Sequence, residues 1–325
     1  MLWGVGLLSF AVAAALAWLL ATRFARFALD QPNERSLHER PVPRTGGLAV
    51  LAGVAAATAA FGIGLWLPLG LALALAVISM IDDLRGMPTL ARLIAHLAAA
   101  GFLAWFVLSP MHPLELLLIV LAIAWITNLY NFMDGSDGLA GGMTVIGFAA
   151  YALAAWLAGR APLAATSLAL AAAALGFLVF NFHPARIFLG DVGSIPLGFL
   201  AGALGVVGWR DDVWPLWFPV LVFGPFIADA TVTLAKRALR RERVWQAHRD
   251  HYYQRLVRMG FGHRGTALIG YAAMLLCAGA ALYGREQAPA MQAAVFAATS
   301  LVLAASAAAV DFRWRRFAEG KGGAA

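Results

Sequence analysis

A chain of 325 residues that is 62% hydrophobic and only 13% charged has too little polar surface to solvate a water-soluble fold of its size. A soluble enzyme is excluded, and the net charge of +7 has to be explained on a membrane protein. One cysteine, Cys277 in an apolar run, rules out an intrachain disulfide and a cysteine metal cluster.

Apolar segments of spanning length recur at 2–22, 46–66, 68–81, 91–108, 114–130, 138–158, 162–182, 194–209, 214–238, 266–284 and 289–310. They predict an all-α polytopic integral membrane protein with about 11 transmembrane helices. No basic stretch precedes the first segment, and Arg23 and Arg26 follow it, so it reads as a retained helix and not a secretory signal. The third, 14 residues ahead of Asp82, is short for a crossing and is expected to borrow flanking residues. Residues 1–311 read as one polytopic membrane domain with cytoplasmic loops at 23–45 and 236–265. Residues 312–325 read as a short cytoplasmic tail, disordered from Gly320.

Twenty-one of the 24 Lys and Arg residues fall after odd-numbered helices, leaving Arg160, Arg210 and Arg285 for the other side. The positive-inside rule then puts the amino terminus in the periplasm and the carboxyl terminus in the cytoplasm. Such a one-sided field also attracts anionic lipid or a phosphorylated substrate, and charge alone does not separate these uses.

Acidic residues at membrane depth are costly, so their positions are informative. Asp82 and Asp83 end the third helix, Asp134 and Asp137 follow the fifth, and Asp191 follows the seventh, all on the basic side. The second cluster, Asn128-Leu-Tyr-Asn131-Phe-Met-Asp134-Gly-Ser-Asp137-Gly-Leu-Ala140, steps amides and carboxylates by three, which places them along one side of helical backbone. The third, Gly190-Asp191-Val-Gly-Ser194-Ile-Pro196, opens the eighth helix with Ser194 as the expected N-cap. Its amides favour an anion, and a carboxylate beside them calls for a hard cation such as magnesium. On the last long loop His248, His251 and Arg255 stand at i, i+3 and i+7, one helical face suited to phosphate oxygens. Asp229, inside the ninth helix, is a candidate ion site should the chain be a transporter.

Together, the Asp82-Asp83 pair, the 128–140 motif, Gly-Asp-Val-Gly-Ser at 190–194 and the late histidine motif resemble the polyprenyl-phosphate N-acetylhexosamine-1-phosphate transferases. The segment Arg35 to Gly47, which includes Arg44, and Pro225 to Asp229 with Arg237 also look like that family. The resemblance implies transfer of a sugar 1-phosphate from a UDP-N-acetylhexosamine to undecaprenyl phosphate, at the cytoplasmic face of a bacterial inner membrane, with release of UMP. Magnesium, with manganese as a substitute, is the implied cofactor; Asp191 is its leading ligand and Asn131 a second. Asp82 or Asp83 is implied as base or lipid-phosphate partner. Asn128, Asn131, Asp134, Asp137, Arg44, His248, His251 and Arg255 are implied in substrate binding. Membrane lipid is the further expected partner, no nucleic acid is expected, and a homodimer stays open. The form His248-Arg-Asp-His251 departs from the tighter histidine clusters of cell-wall initiators and looks more like the branch that starts O-antigen or related chains. A peptidoglycan-type phospho-N-acetylmuramoyl-pentapeptide transferase is the alternative.

Overall fold

The computed structural model describes residues 1–25, 28–30, 37, 41–244, 246 and 248–322. The basic and motif residues at 26, 35–36 and 38–40 therefore lie outside the described residues. Helices account for most of it: α1 (Leu2–Thr22), α2 (Gly46–Phe61), α3 (Trp66–Arg85), α4 (Thr89–Leu108), α5 (Pro113–Phe132), α6 (Leu139–Leu157) and α7 (Ala161–Asn181). Then follow α8 (Asp191–Arg210), α9 (Trp217–Val222), α10 (Gly224–Leu239), α11 (Tyr252–Leu256), α12 (Gly262–Gly284) and α13 (Pro289–Gly322), with a π-helical turn, Val257–Phe261, between α11 and α12. The strands β1 (Leu29–Asp30) and β2 (Val42–Pro43) pair antiparallel over two residues each.

Among the described residues nine helical segments are long and apolar enough to cross a membrane, which supports the polytopic all-α reading. Two expected crossings fall short of that length. The second, α2, stops at Phe61 because Gly62 adopts a left-handed conformation (φ +60), so the short element is the second helix and not the third. The third runs 20 residues from Trp66, with Pro68 tolerated in its first turn, and it carries Asp82 and Asp83 inside its last turn. The ninth breaks at Phe223 into α9 and α10, because Pro225 lacks the N–H that a continuous helix would need there. Residues 312–322, expected as a tail, continue α13.

At the centre stands α8, with 16 of its 20 residues buried. It packs against α5 and α3 and also meets α2, α4 and α6, while α13 lies at the periphery against α12. Small residues make this density reachable in a membrane, where close backbone approach replaces the hydrophobic drive.

Candidate active site

The site grows from the start of α8. Residues 43–47 lie along 188–189: Phe188 N–H donates to Pro43 O (2.7 Å), and Gly46 and Gly47 N–H donate to Phe188 O and Leu189 O (both 2.8 Å). A Cβ on Gly47 would sit 2.3 Å from Gly193 Cα, so only glycine lets α2 and α8 start side by side. Gly190 is left-handed (φ +72) and allows α8 to begin at Asp191, three residues before the expected Ser194 cap. Ser194 therefore does not cap the helix. Its hydroxyl oxygen accepts from Asn131 Nδ2 at 2.9 Å, and the same amide donates to Asp191 Oδ1 at 2.9 Å. Asn131, in the last turn of α5, thereby fixes Asp191 at the mouth of α8.

Two cavities meet at this point. The smaller, about 220 Å³, is lined by Arg44, Ser136, Asp137, Asn181 and His263 among others. The larger, about 600 Å³, is lined by Arg92, His96, Asn128, Asn131, His248 and His251 among others. Asp134, Gly135, Asp191 and Gln254 line both. Eight of the eleven expected site residues thus share one two-lobed cleft, drawn from four separate stretches of chain.

The paired aspartates part company. Asp82 accepts from Met87 N–H (2.5 Å) and from Arg92 Nη1 (3.1 Å), which fastens the α3–α4 turn. Asp83 faces Arg44 Nη2 at 3.2 Å and lies within electrostatic reach of Asp191. Asp134, in the α5–α6 loop, is half-buried where the two cavities meet and faces Asp191 and Asp30. Burial first, and then the Asp191 charge, push its carboxyl well above the ordinary carboxylate range against the opposing Gly190 N–H.

The small lobe holds residues that the sequence left unassigned. His263 Nε2 lies 3.1 Å from Leu37 O, a carbonyl that can only accept, so Nε2 carries the proton. Nδ1 then accepts from Ser136 Oγ (3.0 Å) and from Asp137 N–H (3.3 Å). Asp137 Oδ2 accepts from His183 Nδ1 (2.7 Å) and Ala185 N–H (3.1 Å), and the two imidazoles stack at 5.6 Å. No local pattern marks His263, because its partners Leu37 and Ser136 lie 226 and 127 residues away.

The expected helical face of His248, His251 and Arg255 does not form. His251 is the N-cap of α11 and His248 lies outside any helix, because Asp229 anchors the helix start instead. Asp229 Oδ1 accepts from Tyr252 N–H (2.9 Å) and its Oδ2 from Tyr253 N–H (3.0 Å), with His251 Nδ1 3.1 Å from Oδ1. That saturation makes Asp229 a buried structural anchor and leaves little for an ion. His248 is held down to about 4 by burial and then by His251 and Arg237, so it is neutral at neutral pH in the ligand-free protein. Arg255 turns away from the cleft and donates to Asp311 Oδ1 at 2.9 Å.

Among the described residues no three His, Cys, Asp or Glu side chains converge as a ready metal cage. The donors at the junction still fit magnesium, which takes one or two carboxylates and completes its shell with water and substrate phosphates. Asp191 and Asp134 face each other beside the Asn131 amide, and a cation arriving there would offset the charge that, after burial, holds the Asp134 carboxyl so high.

Known proteins resemble this chain along most of its length. Residues 65–209 match the model of glycosyl transferase family 4. A probable undecaprenyl-phosphate N-acetylglucosaminyl 1-phosphate transferase of Bacillus subtilis is 32% identical over 75% of this chain and 74% of its own length. A decaprenyl-phosphate N-acetylglucosaminephosphotransferase of Mycolicibacterium smegmatis is 33% identical over 79% of this chain and 75% of its own length. A phospho-N-acetylmuramoyl-pentapeptide-transferase of Shouchella clausii is 36% identical over 44% of each chain. Identity of 32% and 33% to such enzymes along three quarters or more of the chain, with the family match over residues 65–209, places this protein in glycosyl transferase family 4, among the polyprenyl-phosphate N-acetylhexosamine-1-phosphate transferases.

Proposed function

We propose that the protein transfers N-acetylhexosamine 1-phosphate from a UDP-sugar to undecaprenyl phosphate at the cytoplasmic face of a bacterial inner membrane, initiating O-antigen or a related surface polysaccharide. The observation that carries this reading is the two-lobed cleft joined at Asp134 and Asp191, which offers separate room for two phosphorylated substrates at one junction. A phosphate oxygen of the acceptor attacks the sugar-bearing phosphorus of the donor, and the bond to UMP breaks. Asp191 and Asn131 would hold magnesium, with manganese as a substitute; the ion neutralises the pyrophosphate charge.

The side chains do the remaining work. Asn131 orients Asp191. Arg44, tied to Asp83, sits where it can pass from that carboxylate to a phosphate. Asp83, which pairs with Arg44 and feels the Asp191 charge, is the better acceptor partner of the pair; a phosphate monoester with a second pKa near ~6 is already ionised and needs little base. His248 and His251 line the large lobe, and His248 gains charge when a phosphate approaches. The form of the histidine motif supports the O-antigen branch.

The test is UMP release by purified protein with undecaprenyl phosphate, magnesium and a panel of UDP-N-acetylhexosamines, including 6-deoxy sugars. Release with one or more members of the panel is expected. Release only with a UDP-muramoyl-pentapeptide would move the protein to the peptidoglycan reaction, and no release with any donor would overturn the proposal.

A further inference from the structure

At about 1.5 Å per residue, the 34-residue α13 is about 50 Å long, well beyond a hydrocarbon core of about 30 Å. From Asp311 onward its apolar run gives way to Arg313, Trp314, Arg315 and Arg316. This end packs on α10 and α11 and encloses with them a cavity of about 440 Å³ that shares no residue with the catalytic cleft.

Lys236, Arg240, Arg255 and Arg315 line this cavity against Asp250 and Asp311. Both acids already have partners. Asp250 takes Arg237 Nη1 at 2.5 Å, and Asp311 is shared by Lys236, Arg255 and the Tyr252 hydroxyl. Arg315 has no ion-pair partner among the described residues, and the cavity keeps a net positive charge. Arg255 is only 6% exposed, yet its Nε–H has no acceptor. Buried donors are rarely left so, and an unpaired guanidinium N–H in a cationic hollow calls for an anion.

The aromatic lining says where such an anion comes from. The Trp314 indole carries the guanidinium of Arg258 at 4.7 Å and that of Arg255 at 5.7 Å, and a second hollow of about 380 Å³ continues between Arg258 and Trp314. Tryptophan with arginine just past an apolar helix run is the composition of the membrane–water boundary, where a free cytosolic phosphate competes poorly with lipid headgroups already at the surface.

We propose that this cavity binds the phosphodiester headgroup of an anionic phospholipid. Arg315 and Arg255 take the phosphate oxygens, and Trp314 packs against the glycerol end. The site is distinct from the donor and acceptor lobes, and its ligand is not consumed.

Phosphatidylglycerol retention by the full-length purified protein, read by native mass spectrometry beside phosphatidylcholine, tests this. The double variant Arg315→Gln, Trp314→Leu should retain about 10-fold less phosphatidylglycerol, the loss of one charge-assisted hydrogen bond, with phosphatidylcholine unchanged. Arg315→Lys, which keeps the charge, should recover part of it. An unchanged melting temperature establishes that the variants fold. Equal phosphatidylglycerol retention in wild type and double variant would overturn the proposal. So would displacement of that lipid by stoichiometric undecaprenyl phosphate in a manner abolished by the double variant, which would give the cavity to the acceptor. Retention is read without turnover, so an inactive preparation bears on the transferase reading and leaves this result standing.

Discussion

Two carboxylates, Asp229 and Asp134, both stand against long apolar runs, one inside the ninth apolar segment and the other in the amide and acid run that ends the fifth. In the structure they are opposites. Asp229 gives its oxygens to two main-chain N–H groups and a histidine, and so fixes where α11 starts. Asp134 is set against Asp191 and Asp30 in a cleft. A buried charge that has been satisfied builds structure, whereas one held against its own kind is kept for a ligand that will supply the missing positive charge.

Substitutions can break that contrast. The largest effect is expected at Asp191→Asn: turnover should fall by about 10²–10³-fold or more at any magnesium concentration, with the fold retained. Near-normal activity would remove Asp191 from the junction. Next, Asp229→Ala should lower the melting temperature sharply, since breaking a buried charged hydrogen-bond set costs about 3–5 kcal/mol, and Asp229→Asn should recover part of it. Equal melting of wild type and Asp229→Ala would contradict the anchor role.

Asp134→Asn should do the reverse. Measured in EDTA, it should melt higher, by about 2–4 °C for each kcal/mol of repulsion relieved, while turnover falls. A variant both less stable and inactive would make Asp134 another structural acid. Within the aspartate pair, Asp83→Asn should cost more turnover than Asp82→Asn. If Asp83 acts only by proton transfer, the variant should regain rate as pH rises past about 6, the acceptor's second pKa.

The smallest expected effect concerns His248. Its pKa is about 4 in the folded chain against an ordinary 6.5, so the unfolded chain holds more protons between those values. Stability should be full above about 6.5 and decline as pH falls toward 4, and His248→Gln should flatten that decline. Bound UDP-sugar should flatten it too, because phosphate favours the imidazolium. An unchanged acid profile in the variant would place His248 in an ordinary solvated environment.

How much of this was legible in the chain follows the same divide. The amide and acid run from Asn128 to Asp137 and the Gly190-Asp191 turn announce themselves, because local spacing and glycine are what the junction needs. Asp229 does not, since its partners are N–H groups 23 and 24 residues on, and every residue has one. The helical face read from His248 to Arg255 failed for that reason: spacing assumes a helix, and Asp229 starts the helix only after His251. The length of α2 was misread because hydropathy runs through Gly62 while the backbone does not. His263 stayed silent because the site it completes is assembled across most of the chain.

The central claim, that the Asp134–Asp191 junction is where sugar phosphate changes hands, is tested most directly by following a donor labelled at the sugar-bearing phosphorus. Wild-type protein given labelled UDP-N-acetylglucosamine, undecaprenyl phosphate and magnesium should move the label into the lipid phase, and Asp191→Asn should leave it in water. Label entering lipid at the wild-type rate with Asp191→Asn, or remaining in water with wild type under every donor tried, would contradict the account.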